Sequence, residues 1–363
     1  MLSDSLKRHG HQCASGKPTG LLIDNAVDIV KNKIPEPTLA TQQEALLNAQ
    51  QNCFAVGLTT VDDAGLELKE INLIQDFQKE GLLKMRIYAM IMYNSKNADY
   101  FFKHGKIKTE RLNARSFKIY ADGALGSRGA ALLQSYSDQP NHNGFLLQNT
   151  DSLLIAAKEI AAHDFQFNTH CIGDSANRLM LHYYHVALKG KKNQRWRIEH
   201  AQVVAPEDFK LFKEYEVIPS VQPTHATSDM NWADERLGPI RIKSAYAYKK
   251  LLGQNNMIAT GSDFPVEDIN PLYGFYAAVV RKDKNNFPPE GFQIENRLTR
   301  EEALKAMTIW AAYANFEELE KGSLEKSKFA DFVVLENDIM KCNPENIYSV
   351  KVLQTYVNGE KVY

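Results

Sequence analysis

Short apolar, β-rich runs alternate with longer stretches of helical period along this chain, and that alternation limits the fold more than any other feature. The runs are "FAVGLTTV" from Phe54, "KMRIYAMIM" from Lys84, "SFKIYADG" from Ser116, "FQFNTHC" from Phe165, "RWRIEHAQ" from Arg195, "EVIPSVQP" from Glu216 and "NMIATGSD" from Asn256. Helical segments lie between most of them. "SLLIAAKEIAAH" and "DSANRLMLHYYHVAL" carry apolar residues at spacings of three and four. "TREEALKAMTIWAAYA" opens on Thr299 with Glu302 three residues on, the pattern of a capping box. Strands that alternate with helices build parallel βα units. The expected fold is therefore α/β, a (β/α)8 TIM-type barrel. A closed barrel of this kind needs eight strands and seven are counted, so the first is missing. "TGLLIDNAVDIV", the best apolar stretch before Phe54, reads as a turn running into a helix.

Beyond the last helix the pattern changes. "KFADFVVLEND" and "VKVLQTYVNGEKVY" are strand-like, and Asn358-Gly359 is a hairpin signal. The expected division is a polar terminus at 1–16, a barrel domain at 17–322 and a small β annex at 323–363. The 363 residues carry 43 basic and 44 acidic side chains, which excludes a strongly basic nucleic-acid footprint. No apolar run approaches the roughly 18 residues needed to cross a bilayer. Four cysteines without a CxxC pair indicate neither a disulfide framework nor a thiolate zinc cluster. The start has no apolar secretory segment, so a cytoplasmic location is expected.

Four strands end on residues suited to metal or proton chemistry: Lys118 in "FKIYADG", His170 in "FNTH", His200 in "RIEH" and Asp263 after "ATGS". Parallel barrel strands all open their C-terminal ends onto one face, so these side chains are expected to converge there. Taken singly, each has a bland explanation. A strand-end histidine is usually structural, a lone lysine snorkels or pairs, and an aspartate before a proline turn is a cap. Four such residues at successive barrel exits are not explained as independent caps. His182 and His185, three apart on one helix, read as packing or surface residues.

Five ordered stretches, "KIYADGALGSRGAAL", "THCIGDSANR", "RIEHAQ", "SVQPTHATSDMNWADERLG" and "ATGSDFPVEDINPLYGFYAAVVR", resemble the amidohydrolase superfamily (amidohydrolase family 3). The nearest branch is that of the N-substituted formamide deformylases. The resemblance runs from about "GKPTGLLIDNA" to the C-terminus. It implies a distorted TIM barrel with a small β-sandwich and one or two divalent metal ions, zinc first among them. It implies ligands from an HxH pair on the first strand, a lysine (often carboxylated) on the fourth and histidines on the fifth and sixth, with an aspartate closing the eighth. Carried over, these are Lys118, His170, His200 and Asp263, with Asp263 also exchanging protons with a metal-activated water. Such an ion brings the pKa of water from about 15.7 to near 7.

The first-strand HxH is the point of departure. The only such pair is His9-Gly10-His11, in polar, charged surroundings that read as a flexible terminus. The first barrel strand, its HxH and the opening half of the sandwich are expected to be absent, which points to a single ion. An open barrel exposes strand edges, so self-association into a homo-oligomer is expected. His225 in "QPTHA", Arg128 in "LGSRGA", and Asp229, Trp232 and Arg236 in the following loop are the candidate substrate contacts. The expected activity is metal-dependent hydrolysis of a non-peptide carbon–nitrogen bond in a small amide or N-substituted formamide. The alternatives are a metal-poor barrel without catalytic activity and a deaminase of the same superfamily.

Overall fold

Seven parallel strands form one curled sheet in sequence order. The computed structural model describes residues 10–12, 18–22 and 27–363. A short antiparallel hairpin comes first, with β1 (Gly10–Gln12) against β2 (Pro18–Leu22). The stretch expected to turn into a helix thus begins as a strand, because Pro18–Leu22 finds a pairing partner in residues 10–12. Helix Leu39–Ala55 follows, its N-terminus capped by the Thr38 side chain. The sheet strands are β3 (Thr60–Leu66), β4 (Arg86–Met92), β6 (Leu112–Tyr120), β7 (Gln166–Cys171), β8 (Arg197–His200), β9 (Ile218–Val221) and β10 (Ala259–Thr260). A two-residue strand, β5 (Ile107–Lys108), adds to β6 antiparallel. Among the described residues β3 and β10 each pair on one side only, so the sheet is a half-barrel.

The seven apolar runs match the seven strands, with one shift. Phe54 and Ala55 close a helix, and the first sheet strand starts only at Thr60. Phe54 is buried, and its apolar character serves helix packing rather than a strand. The segment 299–314 also differs from one continuous helix. It breaks at Thr308 into Arg300–Met307 and Ile309–Ala314, while the expected capping box of Thr299 and Glu302 is present.

The two faces of the sheet have opposite chemistry. Phe117, Phe167 and Ile198 on one face are fully buried. The other face carries Ser116, Lys118 and Tyr120 on β6, level with Gln166, Asn168 and His170 on β7. Arg197 and Glu199 of β8 continue the second and third of those rows. The concave side is therefore polar, and buried polar groups must be paired. Arg197 donates to Asp62 on β3 at 2.9 Å, to Glu199 at 2.7 Å and to Asn315 at 2.9 Å. Asn315, just past helix Ile309–Ala314, also donates to Asp62 at 2.6 Å and accepts from Asn113 at 3.0 Å. Strands β3 and β8 are not neighbours, so this bridge spans the concavity and ties its floor together.

A three-stranded antiparallel sheet, β11 (Phe332–Leu335), β12 (Val352–Val357) and β13 (Glu360–Lys361), completes the described chain. Asn358 and Gly359, both at positive φ, form its hairpin turn. It is fastened to the larger sheet by the buried Arg86 guanidinium at the start of β4. That group grips Asp331 with two bonds of 2.6 and 3.0 Å and lies 3.8 Å over the Phe329 ring.

Candidate active site

Register and backbone geometry bring three of the expected residues to the C-terminal rim. Tyr120 and His170 are paired across β6 and β7, and Lys118 lies one row below them. The Lys118 Nζ sits 3.7 Å over the Tyr120 ring, whose centroid is 5.3 Å from that of His170. His200, the last residue of β8, would by strand alternation face away from Glu199. Its backbone has φ 75° and that of Ala201 φ 42°. This left-handed pair swings the imidazole back, to 4.5 Å from the His170 ring centroid. His225, on helix Pro223–Asp229, stacks nearly parallel to His200 at 6.0 Å.

Asp263 lies three residues beyond β10, also with positive φ, and its carbonyl closes a turn to the Val266 amide. The Gly261 amide bonds to the Val221 carbonyl, so the chain stays in register with β9 almost to Asp263. His9 lies outside the described residues, and of His11 only its place on β1 is described.

Burial sets the proton state of this group. It brings the Lys118 amine down to about 8, against the pull of Glu199 and Asp263. It holds His170 well below the usual imidazole range, helped by the charges of His200 and Lys118. His200 and His225 are lowered to about 3, again by burial first, with Lys118 and His200 as the respective second causes. All three imidazoles are neutral at neutral pH, the form that binds metal. Much of Asp263 reaches solvent, yet the surrounding wall removes enough water to push its carboxyl up to about 6 despite Lys118.

Two observations bear on whether a metal ion fits. The Nε2 atoms of His170 and His225 are buried without a hydrogen-bond partner. For His170 the nearest acid, Asp122, is 3.7 Å away and already accepts from the amides of Ala131, Ile172 and Gly173. Among the described residues no three His, Cys, Asp or Glu side chains form a group that could hold a metal. The donor set is thus a pair of neutral imidazoles, His170 and His200, with Lys118 beside them. A divalent ion held here would draw on that set, with the lysine contributing an oxygen or nitrogen donor.

The other expected contacts each have a partner of their own. Arg128 bonds Asp138 at 3.1 and 2.7 Å, and Arg236 bonds the same carboxylate. Trp232 covers Gly126, where an added Cβ would meet its ring at 3.3 Å. Arg236 and Trp232 thus link the 121–149 loop to helix Ala233–Arg241 and its start, while Arg128 pairs within the loop. Asp229 accepts from Tyr246 at 2.8 Å and Gln202 at 3.2 Å. His182 and His185 both pack against Tyr215. Glu199, Tyr120, Gln222 and Asp122 also border the centre without having been read from the sequence. For Glu199 the signal was its place two residues after Arg197 on the same strand face.

The sequence profile described as "Amidohydrolase family" matches residues 12–363. The chain belongs to the amidohydrolase family. It is 33% identical over 367 aligned positions to Protein LONG AFTER FAR-RED 3 of Arabidopsis thaliana, covering 96% of the chain and 62% of that protein. It is 23% identical to the N-substituted formamide deformylase of Arthrobacter pascens, covering 95% of the chain and 65% of that protein. It therefore spans just under two thirds of the length of these curated relatives. Among solved structures, an uncharacterized metal-dependent hydrolase from Pyrococcus furiosus superimposes with a TM-score of 0.76 at 28% identity, covering 87% of this chain and 64% of the other.

Proposed function

We propose that this protein is a metal-dependent hydrolase that cleaves a carbon–nitrogen bond in a small amide or N-substituted formamide. The observation that carries the reading is the unpartnered, buried Nε2 of His170 beside a neutral His200 and a lysine whose amine is brought down to about 8. Leaving a polar atom buried and unbonded costs about 1–3 kcal/mol, which a ligand at this point would offset. His170, His200 and Lys118 would hold the ion, and a divalent cation there would supply Lewis acidity and acidify water. A lysine accepts carbon dioxide only as the free amine, and burial keeps a fraction of Lys118 in that form.

Asp263 takes a proton from the attacking water and returns it to the leaving nitrogen, as a carboxylate with a pKa near 6 is suited to do. His225 presents its free Nε2 to the substrate oxygen. The named activity of the Arthrobacter pascens relative supports N-substituted formamides as the first substrates to try.

The test is to purify the protein, measure metal content, and follow formate and amine release from N-substituted formamides after Zn2+ loading. Stoichiometric metal with amine release supports the reading. Protein that takes up no metal would overturn it and favour a barrel without catalytic activity.

A further inference from the structure

We infer that Gln222 is a positioning residue that fixes both the tautomer and the orientation of His200. His200 ends β8 in a left-handed conformation, with φ 75°, and Ala201 follows at φ 42°. Non-glycine residues in this region are strained and persist only where the surroundings hold them. The structure supplies such a hold. His200 Nδ1 lies 2.8 Å from Gln222 Oε1, and both residues are buried. An amide oxygen only accepts, so it selects the imidazole form with the proton on Nδ1. The lone pair is then left on Nε2, in a ring whose centroid lies 4.5 Å from that of His170.

Gln222 is itself held. It follows β9 directly, its carbonyl accepts from Tyr248 at 2.9 Å, and the same carbonyl accepts from the His225 amide at 3.1 Å. Pro223 then starts the next helix, so the backbone carrying the amide cannot drift along the strand. An orienting acceptor one strand away thus serves a histidine that strand alternation would have turned outward.

The inference rests on the hydrolase reading only for its consequence in metal affinity; the tautomer can be read on metal-free protein. Histidine labelled with 15N in the ring is followed by NMR, and the resonances missing in His200→Asn identify His200. Wild type is expected to show the Nδ1-protonated form. Gln222→Met, similar in shape but without an acceptor, is expected to give a tautomer mixture and to weaken Zn2+ binding by about 10–100-fold in equilibrium dialysis. Gln222→Glu, which still accepts from Nδ1–H, is expected to restore both. An Nε2-protonated His200 in wild type, or a Gln222→Met spectrum unchanged from it, would overturn the inference. If His200 behaves as expected while no variant binds Zn2+, the positioning role stands and the hydrolase reading fails. Should Gln222→Met not fold, Gln222→Glu carries the test. Its carboxylate must move the bonded ring proton downfield, and an unmoved proton refutes the contact.

Discussion

Asp263 and Asp229 are two carboxylates pushed up to about 6, but they predict different things. Asp263 stands at the rim. Asp263→Asn is expected to lower turnover by about 10²–10⁴ with little change in melting temperature, checked by amine release alongside circular dichroism. Asp229 is withdrawn from water and bonded to Tyr246 and Gln202. Its folded-state pKa lies above the unfolded value of 3.8, so the folded protein holds that proton more tightly. Its penalty on stability therefore grows as pH rises from about 4 to 6. Asp229→Asn should be more stable than wild type at pH 7 by about 2 kcal/mol, and the gap should close below pH 4 in urea titrations. The sequence placed Lys118, His170, His200 and Asp263 at strand ends because apolar runs mark where strands stop. It gave no cue to Gln222 or Asp122, whose significance lies in contacts that only the folded chain makes. Residue type and loop position also did not reveal that Arg128 and Arg236 both donate to Asp138.

At the scale of elements, the long connection from β6 to helix Thr150–Ala162 shows how closely the rim is packed. A Cβ on Gly173 would stand 2.0 Å from the Ala131 carbonyl oxygen. Gly173→Ala is expected to destabilise by about 1–3 kcal/mol and to shift the Asp122 contacts, measurable by chemical denaturation. The floor makes a second prediction. Arg197→Leu leaves Asp62 and Glu199 facing each other's site without their shared cation. A loss of about 3–5 kcal/mol is expected by thermal or urea unfolding, and a variant as stable as wild type would refute the bridging role. Periodicity made the helices at 150–162 and 174–188 readable. It failed at Phe54, where an apolar pair at a helix end looks the same as a strand beginning. The break at Thr308 was also hidden, because both halves share good helix formers and only the backbone turn separates them.

For the whole molecule, the half-barrel leaves β3 and β10 each with an unpaired side among the described residues. Unpaired strand edges recruit other strands. Size-exclusion chromatography with light scattering is expected to show an apparent mass that rises with protein concentration; a constant monomer mass would refute this. No described helix is long and apolar enough to cross a membrane, so such association would not rest on a membrane-spanning helix. The seven-strand architecture was legible because each βα unit announces itself locally. The bridge across the concavity was not, since Arg197 reaching from β8 to Asp62 on β3 joins residues 135 positions apart.

The grip of Arg86 on Asp331 has one more consequence. Removing the chain from residue 331 onward would strand a guanidinium inside the protein with its main counter-charge gone. The last thirty-odd residues act as a clasp on the larger sheet, and shortening the protein from that end would loosen β4, the strand next to the one that carries Lys118.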